Sequence, residues 1–247
     1  PNSEKEITKF FTDVFTDTSV SEIFFGQLPF TVNLIFLAIG WSALLGIPLG
    51  CYSAVRRNTL IDKLTGVFSV GTIAIPSFVV ALYSLLIFAV WLKWLPAIGA
   101  GKEGDFMDQL SHLLLPSFAV GLGWVGYLSR LVRASMLEVL GENHIRTARA
   151  FGLKESTIVL GYALRLAILP TVALLGVGIG NMLSGAVFAE IVFARPGVGK
   201  LIFDSVITRN YPLVMGSVIM TTILFVLFTT VADLISAFLD PRIRENL

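Results

Sequence analysis

Long apolar segments dominate the chain and alternate with short polar ones. A helix needs about 20 mainly apolar residues to cross roughly 30 Å of hydrocarbon. Five segments meet that requirement or come close to it: about 29–54, 66–91, 112–136, 166–189 and 213–232. We therefore expect an all-α polytopic membrane bundle with five spanning helices. A kink is predicted in the second span at Ile75 and Pro76, because proline removes a helical hydrogen bond.

Glycines recur at helical spacing in three of these segments: Gly46 and Gly50; Gly121, Gly123 and Gly126; and Gly176, Gly178 and Gly180. Small residues a turn apart let helix backbones approach closely in a membrane. The middle set spells a dinucleotide-binding fingerprint, but that motif needs a preceding strand and an accessible helix N-terminus. Since the middle set lies inside an apolar helix, we do not expect it to bind a cofactor, and we predict that the first and third sets serve helix packing.

The longest polar interruption covers residues 141–170 and separates two apolar segments. A short helix is predicted here, because Asn143 is a typical helix start and Gly152 a typical helix end. Within that helix Arg146 and Arg149 lie three positions apart and share one face. Composition alone leaves two interpretations open, an ordinary basic loop and a docking element for a partner.

Lys and Arg are divided unequally between the connections, and cytoplasmic connections normally carry the excess. About 11 lie in two loops and the tail, against about seven in the opposite connections. The richer group is therefore predicted to be cytoplasmic, and it includes a loop at 141–165. Residues 1–27 then form an acidic external arm that precedes a membrane domain at 28–247. Because five spans follow Pro1, we expect a further N-terminal span, six in all, in the complete protein.

Composition agrees with the membrane class, since the 247 residues are 55% hydrophobic and their mean hydropathy is +0.82. The net charge of +1 lacks the clustered basic excess of a nucleic-acid-binding protein. The single cysteine, Cys51, excludes an intrachain disulfide and a multi-cysteine metal site. His112 and His144 are predicted to lie on opposite sides of the membrane and so cannot share a metal. We assign no metal ligand and no catalytic residue.

A partial phosphate-binding motif, Gly197-Val198-Gly199-Lys200, follows the fourth apolar segment. It departs from a complete phosphate loop, because Ala194 replaces the first glycine and Leu201 replaces the magnesium-binding hydroxyl. The chain therefore has no visible means of using ATP itself.

Four polar residues in or beside the apolar segments have open interpretations. Asn181 and Ser184 either pack between helices or line a translocation pathway. Glu190 and Asp233 stand at span ends, where a place at the interface or beside an arginine is favoured over ion coupling. An ion-coupled secondary transporter or a channel would require acidic residues in the middle of a span. An integral-membrane enzyme would require a nucleophile or a metal cluster on one face.

Motifs spread from Leu28 to the tail form an ordered set: Leu45-Gly46-Ile47-Pro48-Leu49-Gly50 with Arg56-Arg57, Ile75-Pro76-Ser77-Phe78, Trp94-Leu95-Pro96, Leu115-Pro116, Arg133-Ala134-Ser135-Met136-Leu137-Glu138, Arg146-Thr147-Ala148-Arg149-Ala150-Phe151-Gly152, Leu166-Ala167-Ile168-Leu169-Pro170, Phe193-Ala194-Arg195-Pro196-Gly197-Val198-Gly199 and Asp240-Pro241-Arg242-Ile243-Arg244. In combination they resemble the permeases of ABC importers, specifically the B-type subunit of the dipeptide, oligopeptide and nickel branch. The chain departs from the general ABC permease loop, which begins Glu-Ala-Ala where Arg146-Thr147-Ala148 stands here. The first spanning helix of the family is also missing.

The resemblance implies a type I ABC importer permease fold that translocates di- or oligopeptides across the cytoplasmic membrane of a bacterium or archaeon. A permease for nickel or another small solute is the alternative, because the resemblance does not identify the substrate. The implied partners are a second permease, two cytoplasmic ATPases that bind ATP and magnesium, an extracytoplasmic binding protein and membrane lipid. The chain itself would hold no cofactor and catalyse nothing. The implied ATPase-coupling residues, whose small members would suit docking in an ATPase groove, are Ile145, Arg146, Thr147, Ala148, Arg149, Ala150, Phe151 and Gly152.

Overall fold

The computed structural model of the chain describes residues 18–102 and 104–239. Every regular element within those residues is helical. The helices are α1 Thr18–Val55, α2 Leu60–Ala74, α3 Ser77–Ser84 with a π-helical continuation Leu85–Trp91, α4 Phe106–Leu140, α5 Asn143–Ala150, α6 Glu155–Thr157 with a π-helical continuation Ile158–Ala163, α7 Leu164–Ala167, α8 Leu169–Val192, α9 Val198–Ile207 and α10 Tyr211–Leu239. The expected all-α class is confirmed.

Helix length and apolar composition identify the membrane-spanning segments. Among the described residues, α1, α4 and α10 are each long and apolar enough to cross a membrane alone. Two helix pairs bent at a short break bring the number to as many as five if each pair forms one span. One is α2 with α3, whose break at Ile75 and Pro76 lies where the proline predicts a kink. The other joins Glu155–Ala167 to the start of α8 with a bend of 45°.

Helix α1 begins before the first apolar segment that the sequence predicts to span the membrane. Residues 18–27, assigned from composition to an external arm, continue without a break into α1. Residues 1–17 lie outside the described part of the chain, and so do residues 240–247 with the Asp240 motif. The side chain of Asp233 is also outside the described set.

Contact density divides the chain into two compact units. The first contains residues up to Leu37, then Ser77–Val120 and Gly180–Phe228. Its fully buried large side chains come from α1, α8 and the segment after α8: Phe24, Leu34, Met182, Glu190 and Phe193. Gly180 belongs to this unit, and its missing side chain makes room for the Phe225 ring, so the predicted packing role is confirmed there.

The second unit contains Ala38–Pro76, Gly121–Ile179 and the chain from Thr229 onward. Glycines bring its helices together, since a Cβ at Gly46 would lie 2.9 Å from the Val125 carbonyl oxygen of α4. A Cβ at Gly50 would collide with the Ser129 carbonyl oxygen. In the same way Gly126 fits against Ser69 of α2. The motif that spells a dinucleotide fingerprint thus lies inside a helix, α4, as predicted, and its glycines pack against neighbouring helices.

Candidate functional site

Helix α5 lies in the polar loop at 141–165 and has a buried face. It begins at Asn143 and ends just before the predicted Gly152 stop. Ile145 is fully buried and Ala148 nearly so. Both belong to a continuous apolar cluster that also takes side chains from α1, α4 and the chain after α5: Cys51, Ala54, Val132, Met136, Val139, Ile158, Val159, Ala163 and Ala167. We call this cluster the α5 seat.

The end of α5 is shaped by glycine. Gly152 has φ +76°, a left-handed conformation that side chains disfavour. The Gly152 N–H donates to the Arg149 carbonyl at 2.9 Å, and the Leu153 N–H donates to the Ala148 carbonyl at 3.3 Å. These two bonds form a Schellman motif, which satisfies the last carbonyls of a helix. The chain therefore turns sharply and leaves Phe151 at the tip, 82% exposed.

The opposite face of α5 carries exposed polar groups. Arg146, Thr147 and Ala150 are exposed. Arg149 donates to both carboxylate oxygens of Glu155, with Nη2 at 2.7 Å from Oε1. Donating to this carboxylate raises the pKa of Arg149, so the guanidinium stays charged at any physiological pH. The pair ties α5 to the start of α6 and leaves Arg146 and Phe151 exposed on this surface.

The eight residues singled out from the sequence thus divide into two sets. Arg146, Thr147, Arg149, Ala150, Phe151 and Gly152 face outward. Ile145 and Ala148 face the α5 seat. The small side chain of Ala148 was expected to admit a partner, and this interpretation is wrong because Ala148 packs against its own chain. Its size instead allows α5 to approach the helices beneath it.

Helix α8 presents polar groups on an exposed strip. Asn181 and Ser184 lie one turn apart and are both exposed, and Phe188 follows on the same face at 51% exposure. Two neighbouring positions behave differently, since Met182 and Ala186 are buried. An apolar helix that keeps an amide and a hydroxyl on its outer face is suited to meet water or a polar solute, because lipid does not hydrogen-bond such groups.

A buried carboxylate holds the N-terminus of α9. Glu190 is fully buried, accepts a hydrogen bond from the Thr31 hydroxyl at 2.5 Å and accepts another from the Lys200 N–H at 3.0 Å. The Val198 N–H donates to the Thr31 hydroxyl at 2.9 Å. A Cβ at Gly197 would collide with the Glu190 carboxyl group, so only glycine fits there. Of the two expected places for Glu190, the one at the interface is wrong, because the side chain is fully buried. The other, beside an arginine, agrees with the charge of Arg195 acting on this carboxylate, which caps α9 inside the first unit.

The same arrangement accounts for the partial phosphate loop. In a true phosphate loop the free N–H groups at a helix N-terminus bind the ligand. Here the N–H groups of Val198 and Lys200 are already used by Thr31 and Glu190. The Glu190 carboxyl group thus accepts from the Lys200 N–H, which a phosphate would need as a donor.

An ion pair that was not foreseen links three helices of the second unit. Arg133 of α4 donates through Nε and Nη2 to the two carboxylate oxygens of Asp62 in α2, at 2.5 and 2.8 Å. The Ser53 hydroxyl of α1 donates to the same carboxylate at 2.6 Å, and the Asn58 N–H donates at 2.9 Å. We call Ser53, Asp62 and Arg133 the polar clamp.

The two histidines lie in different units and have local acidic neighbours. His112 Nδ1 is 2.8 Å from the Asp108 carbonyl oxygen, and His144 Nδ1 is 3.0 Å from a Glu142 carboxylate oxygen. Across the described ranges, no three His, Cys, Asp or Glu side chains converge on a position suited to a metal ion.

Comparison with known families identifies the family of the chain and its place in a membrane. Residues 46–245 match the family described as the inner membrane component of binding-protein-dependent transport systems. The chain belongs to this family. Membership makes it an integral-membrane transport permease subunit, and the helical architecture with up to five spans agrees with that assignment.

Relatives within the permease family carry peptide transport names. An oligopeptide transport system permease of Bacillus subtilis is 35% identical over 230 residues, which are 92% of this chain and 73% of that protein. An oligopeptide transport system permease of Haemophilus influenzae is 36% identical over 230 residues, 93% of this chain and 74% of that protein. A glutathione transport system permease of Escherichia coli is 35% identical over 214 residues, 87% and 68% respectively.

Solved structures show the same permease fold. A chain of the methionine ABC transporter in an inward-facing conformation superimposes with a TM-score of 0.70 at 17% sequence identity. The match covers 87% of this chain and 94% of that one. An amino acid ABC transporter superimposes with a TM-score of 0.63 at 18% identity. The predicted ABC importer permease fold is therefore confirmed.

Proposed function

We propose that this permease carries small peptides inward across the cytoplasmic membrane of a bacterium or archaeon as part of an ATP-driven importer. The peptide and glutathione names of its relatives, at 35–36% identity over most of the chain, support this substrate class. The partners are a second, similar permease, two cytoplasmic ATPases and an extracytoplasmic binding protein. The chain itself performs no chemistry.

One observation carries the coupling proposal. Helix α5 is anchored on one face by the α5 seat and exposes Phe151 at 82% on the other side. A phenylalanine so exposed at the tip of a polar loop would gain hydrophobic stabilisation from a partner that covered it. A helix anchored in this way can transmit a displacement caused by that partner to α1 and α4. We assign the partner as an ATPase subunit and Arg146 as the charge that meets an acidic residue in its groove.

Translocation then follows from alternating access. ATP binding closes the ATPase pair and displaces α5, and the spans beneath it reorient. Asn181 and Ser184, on the exposed strip of α8, are suited to line the pathway, since their side chains can hydrogen-bond the backbone of a passing peptide. Glu190 takes no part as an ion-coupling acid, because its hydrogen bonds are used within the first unit.

The coupling proposal is tested by replacing Phe151 in the reconstituted complex. We expect Phe151→Ala to weaken association with the ATPase subunits by about tenfold or more, because buried aromatic anchors dominate protein interfaces. Membrane insertion should be unchanged, since Phe151 packs little against its own chain. Co-purification of the ATPase subunits and ATP-driven uptake in proteoliposomes measure the effect.

A matched control is Phe106→Ala, because Phe106 is 72% exposed but lies at the start of α4, in the first unit. This variant should bind the ATPases normally. Equal association of the Phe151 and Phe106 variants would refute the assignment of α5. Uptake of labelled di-, tri- and longer peptides, compared with nickel, tests the substrate class, and ATP-driven uptake of nickel alone would overturn the peptide assignment.

A further inference from the structure

The polar clamp fixes the relative orientation of the helices that it joins as well as their contact. Asp62 is only 6% exposed, and Arg133 grips its two oxygens in a fork of two parallel N–H donors. Such bidentate pairs fix the relative orientation of the two groups, because two parallel hydrogen bonds add geometric specificity. Ser53 and the Asn58 N–H use the remaining acceptor positions of the carboxylate. The positions of α1, α2 and α4 are therefore locked to one another at this point.

The clamp lies next to the α5 seat along two helices. In α1, Ser53 stands between Cys51 and Ala54, which both belong to the seat. In α4, Arg133 directly follows Val132, another member of the seat. None of the buried residues that form the seat comes from α2. The seat thus joins α5 to α1 and α4, and the clamp joins α1 and α4 to α2.

We propose that the polar clamp is a positioning element of transport, which makes α2 follow the displacement of α5. This inference rests on the proposed function of α5. A push on α5 reaches α1 and α4 through close apolar packing, which transmits strain because protein interiors are dense. The bidentate pair of Arg133 with Asp62 then transmits this displacement to the start of α2. None of the three residues needs to touch the substrate.

The test separates transmission from simple stabilisation by comparing charged and neutral pairs. Asp62→Asn and Arg133→Gln should each lower thermal stability, because each leaves a half-buried or buried charge without its partner. The double variant leaves no such charge and should recover most of that stability. It lacks the rigid fork, however, so the peptide taken up per ATP hydrolysed should stay about tenfold below the unmodified complex.

A conservative variant covers the case in which the double variant does not fold. Arg133→Lys keeps the charge but not the fork, so we expect near-normal stability with a reduced yield of peptide per ATP. Arg130→Gln is the matched control, since Arg130 is exposed one turn away on α4 and should change neither quantity.

The outcomes discriminate between the two proposals. A double variant, or an Arg133→Lys variant, that transports the normal amount of peptide per ATP would overturn the clamp while leaving the importer function intact. Failure of the unmodified complex to show ATP-driven uptake would instead overturn the proposed function itself. Reduced yield per ATP with recovered stability supports the clamp, because a purely structural pair would restore both together.

Discussion

Gly152 shows how a single backbone angle shapes the proposed docking surface. Its φ of +76° lets α5 end abruptly, and the resulting turn directs Phe151 outward. No atom lies within 4 Å of the place where a Cβ would stand, so space does not require glycine here. Conformation does, because the left-handed region costs an L-residue about 1–2 kcal/mol.

We therefore predict a graded response at position 152. Gly152→Asn should retain most uptake, since asparagine tolerates the left-handed region. Gly152→Val should lose uptake, because a β-branched residue in that conformation is strained and would unwind the end of α5. ATP-driven uptake by equal amounts of inserted protein provides the measurement. Equal uptake by the two variants would show that the turn is not needed.

At the scale of elements, α5 gains its stability from tertiary packing. Eight residues are too few for an independent helix in water. The helix has no side-chain cap at its start, where Glu142 occupies the capping position. What fixes it is the insertion of Ile145 and Ala148 into the α5 seat, together with the Schellman turn at its end.

Truncation of the anchor tests that account. Ile145→Ala should destabilise the local fold by about 2–5 kcal/mol, the usual cost of emptying a buried aliphatic site. Amide hydrogen exchange across α5 should then speed up, while exchange in α10 should stay unchanged. Thr147→Ala serves as the control, since Thr147 is exposed and its hydroxyl bonds only to the Asn143 carbonyl in the same helix. Unaltered exchange in the Ile145 variant would contradict the anchoring role.

At the scale of the whole molecule, close helix approach replaces the hydrophobic effect as the source of packing in a membrane. Helices α1 and α4 meet at Gly46 and Gly50, where the backbone of α4 fills the space that side chains would take. The second unit therefore depends on positions where nothing larger than hydrogen fits.

Two alanine substitutions in the same helix make this testable. Gly50→Ala should lower the thermal stability of the purified protein, by about 1–3 kcal/mol, because the new methyl group meets the Ser129 carbonyl. Gly40→Ala should leave it unchanged or raise it, since no atom lies within 4 Å and alanine favours helix. Thermal unfolding in one detergent compares them. The opposite order would refute the packing account.

The apolar segments, the kink at Pro76 and the bounds of α5 follow from the sequence alone. Span length is set by membrane thickness and helix ends by local residues such as Gly152, so neighbouring positions contain the necessary information. The sequence also places Arg146 and Arg149 on one face, because residues three apart share a side of a helix. It does not separate the outward residues of α5 from Ala148, which faces the α5 seat.

The direction that Ala148 faces, the burial of Glu190 and the polar clamp were decided only by the tertiary structure. Thr31 and Glu190 are 159 positions apart, and Asp62 and Arg133 are 71 apart. Whether a carboxylate reaches water, a helix terminus or an arginine depends on which distant segment packs beside it. A local sequence pattern contains no information about that distant neighbour. The sequence therefore identifies the polar residues, and the fold determines which groups they contact.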